Sequence, residues 1–131
     1  MTPVDSRRSV LVIEDNADAR EALVTLLEID AYAVSSAGDG PECVSLAGRA
    51  RFDVALIDIG LPGLDGYEVA RRIRALGPAT PFLIALTGYG QPEDKKRAED
   101  AGFHAHLVKP IDPDRLSALI SLEIPDRGSP G

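Results

Sequence analysis

The sequence has little cysteine, no long apolar run and a deficit of positive charge. Cys43 is the single cysteine among 131 residues, so an internal disulfide framework is excluded and a reducing, cytoplasmic location is expected. No apolar run approaches the roughly 18 residues of a membrane span. The apolar stretch 10–13, which follows a polar N-terminus, is too short for an export signal. The formal net charge of −7 disfavours contact with phosphate backbones, so we expect neither nucleic acid nor a membrane as a partner.

Short apolar runs alternate along the chain with amphipathic stretches. The runs are rich in β-branched residues, whereas the stretches between them carry apolar residues at helical spacing. Five such pairs predict an α/β domain of flavodoxin-like (βα)5 architecture, in which a doubly wound parallel sheet carries helices on both faces. The continuously apolar runs at 54–57 and 82–86 predict central strands, because strands covered on both faces need no alternation. The predicted strands are 10–13, 32–34, 52–57, 82–86 and 106–108.

The chain length fits one domain, flanked by two short segments. The stretch 92–101 is almost entirely charged, yet Pro92 suits a first helical turn and Gly102 suits a C-terminal stop, which predicts a helix there. The terminal segments are polar or rich in proline, glycine and serine, so we expect them to be disordered and expect no further domain after the last helix. The predicted boundaries are 1–8 (disordered), 9–122 (folded domain) and 123–131 (disordered).

Polar side chains follow four of the predicted strands at their carboxyl ends. Glu14 and Asp15 follow the first strand, Asp58 the third, Thr87 the fourth and Lys109 the fifth. In open α/β sheets, ligands bind outside the carboxyl ends of the strands. In the strand order 2-1-3-4-5, Asp15 and Asp58 stand on neighbouring strands about 4.8 Å apart. Lys109 stands two strands from Asp58, a gap that its flexible stem can span. The pattern therefore predicts a single polar site at this edge of the sheet.

The residue types at this edge suit phosphoryl transfer. Clustered carboxylates repel each other unless a cation is present, and oxygen ligands favour a hard cation such as Mg²⁺. Lys109 and Thr87 can meet two phosphoryl oxygens, and the metal can meet the third. Asp58 is then the nucleophile and forms an acyl phosphate. An Asp at a strand end is also a common helix cap, so the assignment depends on the whole set of residues.

Four sequence motifs resemble those of response regulator receiver domains, in the same order along the chain. The resemblance covers roughly residues 9–122. Within it, the chain is similar to the receivers of hybrid histidine kinases. The matching motifs are Glu14-Asp15-Asn16, Asp58 with the following 61–66, Leu86-Thr87-Gly88 and Lys109-Pro110.

The resemblance implies a function and a set of roles. Asp15, Asp58 and the backbone carbonyl of Gly60 would bind Mg²⁺, Glu14 would act mostly through water, and the Lys109–Pro110 bond would be cis. The protein would be a signalling phosphoacceptor rather than an enzyme, although it would promote its own phosphorylation and dephosphorylation. Its partner would be a histidine kinase or a histidine phosphotransfer protein, with at most a weak homodimer. Phosphorylation would draw Thr87 and Lys109 inward and switch a protein-interaction surface.

Three alternatives are weighed against this interpretation. A haloacid-dehalogenase-type phosphatase also uses an Asp nucleophile and Mg²⁺, but it carries an acid two residues later, where this chain has Gly60. A receiver-like scaffold that works without phosphate usually lacks one of the five polar residues, and none is missing. A flavodoxin needs a neutral or positive first loop for its phosphate, whereas Glu14-Asp15-Asn16 is acidic. One departure from the receiver pattern is His106, which stands where an aromatic switch residue is common.

Overall fold

The structure is a computed structural model that describes residues 8–60, 65–77, 80–88 and 95–123. Five strands alternate with five helices in these residues, as the sequence predicts. The elements are β1 (Ser9–Ile13), α1 (Ala17–Ile29), β2 (Ala33–Ala37), α2 (Gly40–Arg49), β3 (Val54–Asp58), α3 (Gly66–Ala75), β4 (Phe82–Thr87), α4 (Lys95–Ala101), β5 (Ala105–Val108) and α5 (Pro113–Glu123).

All five strands belong to one parallel sheet. Their order is β2-β1-β3-β4-β5, which confirms the predicted flavodoxin-like topology. Strand β3 is central, and each of its five residues is buried. Strand β2 extends further than predicted, because Ser35 and Ser36 continue the pairing with β1. This edge strand is only half-buried and so tolerates polar residues that lower its strand signal in the sequence.

Alternate residues of the three inner strands, β1, β3 and β4, enter two separate cores, one on each face of the sheet. Leu11, Ile57 and Leu83 face a core that receives side chains from α2, α3 and α4. Val10 and Leu56 face a second core that receives side chains from α1 and α5. Burial of this apolar surface on both faces fixes the sheet register, since a shift of one residue would exchange the two faces.

Local signals set the starts and ends of the helices. Asn16, Asp39 and Asp65 are the N-caps of α1, α2 and α3, and each side chain accepts a hydrogen bond from a backbone N–H three residues later. Gly102 follows α4 with φ +102, as its predicted role of helix stop requires. The proposed role of Pro92 at the start of that helix lies outside the described residues.

The predicted terminal segments fall almost entirely outside the described residues. Of their members, Arg8 and Glu123 are described: the Arg8 carbonyl accepts a hydrogen bond from Ala33 N–H at 2.9 Å, and Glu123 ends α5. The boundary at 9–122 remains a prediction. Within the described ranges, each helix is too short or too polar to span a membrane.

Candidate functional site

The five predicted polar residues lie at the carboxyl edge of the sheet. Glu14 and Asp15 directly follow β1, and Asp58 is the last residue of β3. Thr87 is the last residue of β4, and Lys109 follows β5. Because the strands are parallel, the ends of four of them come together as the sequence predicts.

The Lys109 ammonium links two buried carboxylates. Its Nζ donates to Asp58 Oδ2 at 2.9 Å and to Glu14 Oε1 at 2.7 Å. The side chains of Glu14 and Asp58 are only 4% and 11% exposed, whereas that of Lys109 is 32% exposed. The lysine therefore spans the two-strand gap and closes one side of the acidic site. Its direct bond to Glu14 was not foreseen from the sequence.

The close contact between Glu14, Asp58 and Lys109 shifts the pKa of each group. Burial raises the pKa of Glu14 to about 7, and the neighbouring Asp58 adds to the increase. Burial also raises the pKa of Asp58, but hydrogen bonds with Glu14, Lys109 and the Gly60 N–H outweigh it and leave that pKa below its usual value. For Lys109, burial lowers the pKa, but its bonds to the two carboxylates outweigh burial and raise it. Of the two buried carboxylates, Asp58 is thus the one that keeps its negative charge more readily.

Asp15 completes an acidic cluster that fits a divalent cation. One carboxylate oxygen from each of Glu14, Asp15 and Asp58 lies within 4.8 Å of the others. Asp15 is exposed to solvent, whereas Glu14 is buried and its Oε2 has no hydrogen-bond partner in the described structure. An unsatisfied buried oxygen is costly, and a bound cation would satisfy it directly or through a coordinated water. The donor set is entirely oxygen, which suits Mg²⁺ or Ca²⁺ better than softer metals.

The backbone around Asp58 is held by close contacts. Asp58 Oδ1 accepts a hydrogen bond from Gly60 N–H at 2.8 Å, and Ile59 N–H donates to the Leu86 carbonyl at 3.1 Å. A Cβ at Gly66 would lie 2.6 Å from the Asp58 carbonyl oxygen, so only glycine fits there. Gly66 is the last residue of the matched motif 61–66, but no structural role was predicted for it. Its signal was a glycine in the first turn of a helix, where glycine is otherwise a poor helix former.

A second residue missed in the sequence is Arg20, in α1. Its guanidinium donates from Nη1 to the Glu14 backbone carbonyl at 2.8 Å. An arginine one turn after the N-cap Asn16 ordinarily indicates a solvated helix face, so no specific sequence signal points to this contact.

Comparison with known proteins assigns the family. The profile described as "Response regulator receiver domain" matches residues 10–121. The chain belongs to the response regulator receiver domain family. It is 38% identical over 85% of its length to the transcriptional regulatory protein ResD of Bacillus subtilis, and it spans 47% of that relative. The resemblance inferred from the sequence motifs is therefore confirmed.

Solved receiver structures agree in fold. The receiver domain of sensor histidine kinase PA1611 from Pseudomonas aeruginosa, solved with magnesium in its active site cleft, has TM-score 0.81 and 31% identity. That match covers 94% of this chain and 99% of the other. The receiver domain of Saccharomyces cerevisiae Ssk1, solved in complex with the histidine phosphotransfer protein Ypd1, gives TM-score 0.79 and 27% identity. That match covers 91% of this chain and 90% of the solved one.

In this receiver domain, Thr87 and Lys109 are coupled through the backbone. Thr87 is buried, and its hydroxyl faces the Leu107 carbonyl of β5 at 3.5 Å, a long and weak hydrogen bond. Lys109 N–H donates to the Thr87 carbonyl at 2.7 Å. The Lys109–Pro110 peptide bond is cis, as predicted. The Thr87 hydroxyl would therefore lose only a weak hydrogen bond if it turned towards a stronger acceptor.

His106, at the position of the receiver switch residue, is exposed in β5. It is paired in register with Ala85 of β4 and lies three residues before Lys109. Whether it moves inward on phosphorylation remains a prediction.

Proposed function

We propose that this receiver domain accepts a phosphoryl group from phosphohistidine onto Asp58, in a step that requires Mg²⁺. The observation that carries the proposal is the contact of Lys109 with Asp58 beside the acidic cluster. An Asp58 carboxylate oxygen attacks phosphorus, and the bond from phosphorus to the imidazole nitrogen breaks. The imidazole, which carries a proton on its other ring nitrogen, takes the bonding electron pair and leaves as a neutral ring. The products are an aspartyl phosphate and a neutral histidine on the donor.

Each polar residue has a proposed role in this step. Asp15, Asp58 and the carbonyl of Gly60 would hold Mg²⁺, with Glu14 acting mainly through water. When bound, the metal supplies positive charge to a phosphoryl oxygen. Lys109 neutralises a second oxygen, and the Thr87 hydroxyl donates to a third after leaving the Leu107 carbonyl. Lys109, Thr87 and the metal ligands act by stabilising charge on the transferred phosphoryl group. In this proposal, Asp58 alone forms a covalent bond to phosphorus.

A groove beside the acidic site supports a protein donor. It has a volume of about 340 Å³ and is lined by side chains of α1 and of the segment before α5, together with Glu14 and Lys109. Its apolar residues include Leu23, Leu26 and Ile111. A phosphohistidine that reaches Asp58 brings its own protein surface over this groove. The Ssk1 receiver, solved with a histidine phosphotransfer protein, has the same fold.

The proposed output is a change in protein contacts. Inward movement of Thr87 would shift a pre-existing equilibrium of the surface formed by α4, β5 and α5. The protein would thus work as a signalling phosphoacceptor and not as an enzyme with a separate substrate. A reducing, cytoplasmic location is part of the proposal, since Cys43 is a free cysteine.

Incubation with acetyl phosphate and Mg²⁺, followed by intact mass measurement, tests the proposal. The wild type should gain one phosphoryl group, Asp58→Asn should gain none, and the control Asp18→Asn should behave as the wild type. Asp18 is a suitable control because it is an exposed carboxylate in the first turn of α1. A stable adduct on Asp58→Asn would overturn the assignment.

A further inference from the structure

The backbone of the first acidic loop has few restraints of its own. Strand β1 ends at Ile13, so Glu14 and Asp15 lie beyond the regular sheet pairing. Glu14 N–H donates to the Ala37 carbonyl of β2 at 3.3 Å, which is a long hydrogen bond. The Glu14 carbonyl accepts its hydrogen bond from a side chain, namely Arg20 Nη1 at 2.8 Å. This charged hydrogen bond is the shorter of the two restraints on the Glu14 peptide groups.

Arg20 is itself confined by a neighbouring turn. The side chain is half-buried, and its guanidinium lies over Gly38, which follows β2. A Cβ at Gly38 would lie 3.0 Å from Arg20 Nη1 and 3.6 Å from Cζ. The guanidinium therefore sits between the Glu14 carbonyl and the Gly38 backbone, and it connects the loop after β1 to the turn after β2.

From this arrangement we infer that Arg20 is a positioning residue for the divalent-cation site. It fixes the Glu14 peptide so that the carboxylates of Glu14 and Asp15 meet Asp58 in one cluster. The inference rests on the proposed Mg²⁺ role of that cluster. Without Arg20, the loop samples other conformations, and the carboxylate cluster is formed in only a fraction of the molecules. The apparent affinity for Mg²⁺ is then the intrinsic affinity multiplied by that fraction.

The sign of the effect separates positioning from simple charge. Arg20 is a cation near a site for a cation, so Coulomb repulsion alone predicts that its removal tightens Mg²⁺ binding. Positioning predicts the opposite, because the loss of the guanidinium releases the acidic loop. A purely structural role would lower the stability of the metal-free protein and leave the Mg²⁺ dissociation constant unchanged.

Gly38 provides a second and independent variant. Its φ is outside the left-handed region, so alanine is allowed by the backbone. The nearest atoms to a new Cβ belong to the flexible tip of Arg20, which would move first. Gly38→Ala should therefore displace the guanidinium without touching any acidic residue. In the Arg20→Met background the same change should have no effect on Mg²⁺ binding, since its target is gone.

The experiment is a calorimetric Mg²⁺ titration of the full chain at fixed ionic strength, with thermal melts in EDTA. We expect Arg20→Met to weaken Mg²⁺ binding about tenfold, the lower end for residues that orient metal ligands. Arg20→Lys and Gly38→Ala should weaken it less, and the double variant should match Arg20→Met. The control Arg49→Met removes an equal charge at the far end of α2 and should bind Mg²⁺ as the wild type does.

Two kinds of failure are distinguishable. If the wild type binds Mg²⁺ and Arg20→Met binds it equally well or more tightly, the positioning role is wrong and the metal site stands. If the wild type binds no Mg²⁺, the metal proposal falls, and the role of Arg20 falls with it. Should Arg20→Met fail to fold, Arg20→Lys and Gly38→Ala decide the matter, because unchanged affinity in both would also overturn the inference.

Discussion

Lys109 Nζ lies 2.7 Å from Glu14 Oε1, nearer than the 2.9 Å that separates it from Asp58 Oδ2. The ammonium is therefore shared between Asp58 and Glu14, a buried acid that follows the neighbouring strand β1. In the absence of a metal, it is the closest positive charge to both carboxylates among the described residues. The proposed Mg²⁺ would therefore offset the same negative charge that Lys109 offsets.

Removal of the lysine should make the protein depend more strongly on Mg²⁺. Lys109→Met leaves two buried carboxylates without their cation, which should lower the free energy of unfolding in EDTA by about 1–3 kcal/mol, below the range for fully buried pairs. Saturating Mg²⁺ should stabilise the variant more than the wild type, because the cation replaces the lost charge. Urea unfolding followed by circular dichroism measures both effects. Lys96→Met, at an exposed site in α4, is the control, and equal Mg²⁺ effects in wild type and Lys109→Met would contradict the prediction.

Asp15 should contribute most of the stabilisation that Mg²⁺ gives. We expect Asp15→Ala to lose most of the Mg²⁺-dependent increase in melting temperature, because a ligand carboxylate is gone. In EDTA the variant should be no less stable than the wild type, since one of three mutually repelling carboxylates has been removed. Asp18→Ala is the matched control, as Asp18 is also an exposed acid near the start of α1. Equal Mg²⁺-dependent shifts in wild type and Asp15→Ala would argue against a metal site here.

The sequence predicted the fold and the location of the site for one physical reason. Strand order and apolar runs bring strand ends together, so Glu14, Asp58 and Lys109 could be placed without coordinates. The supporting contacts could not be predicted in the same way. Gly66 is required because a helix start passes 2.6 Å from the Asp58 backbone, and such approaches depend on packing rather than on local sequence pattern. The Arg20 contact with the Glu14 carbonyl likewise needs the rotamer of one long side chain.

His104 extends the hydrogen bonding between β4 and β5 by one residue, just before β5 begins. Because β5 begins only at Ala105, the Leu83 N–H has no backbone partner on that strand, and His104 Nδ1 accepts its hydrogen bond at 2.9 Å. The imidazole also stacks on Phe82, with ring centroids 4.7 Å apart. Burial lowers the pKa of His104, and the nearby charge of Arg74 lowers it further. The fold therefore favours the neutral ring, which alone has a free Nδ1 lone pair.

This arrangement predicts a stability loss in acid that can be assigned to His104. The unfolded chain binds a proton more readily than the native one, so the contribution of His104 is fully present above the ordinary pKa of about 6.5. It is lost as the pH falls from there through the lowered native pKa. His104→Asn keeps an acceptor that does not titrate and should flatten this part of the profile in urea unfolding. His106→Asn should keep the wild-type slope below neutral pH, and an unchanged slope in His104→Asn would remove His104 as the cause.

The last prediction concerns His106 as a pH-dependent switch. His106 is exposed in the structure and lies three residues before Lys109, where receivers often carry an aromatic residue. If it turns inward when Thr87 is drawn to the phosphoryl group, the ring leaves water, which disfavours a charged imidazolium. The active state should then be more populated, and the affinity of the phosphorylated domain for its partner should rise, as the pH rises from mildly acidic to mildly alkaline.

His106→Tyr should flatten that dependence, because a phenol stays neutral throughout this range. NMR spectra of the phosphorylated domain, recorded at several pH values with phosphorylation held constant, report the inward population at Thr87 and in β5. Asp58→Asn, which should take no phosphoryl group, supplies the baseline for pH effects unrelated to switching. Identical profiles for wild type and His106→Tyr would show that His106 is a passive residue of the edge strand β5.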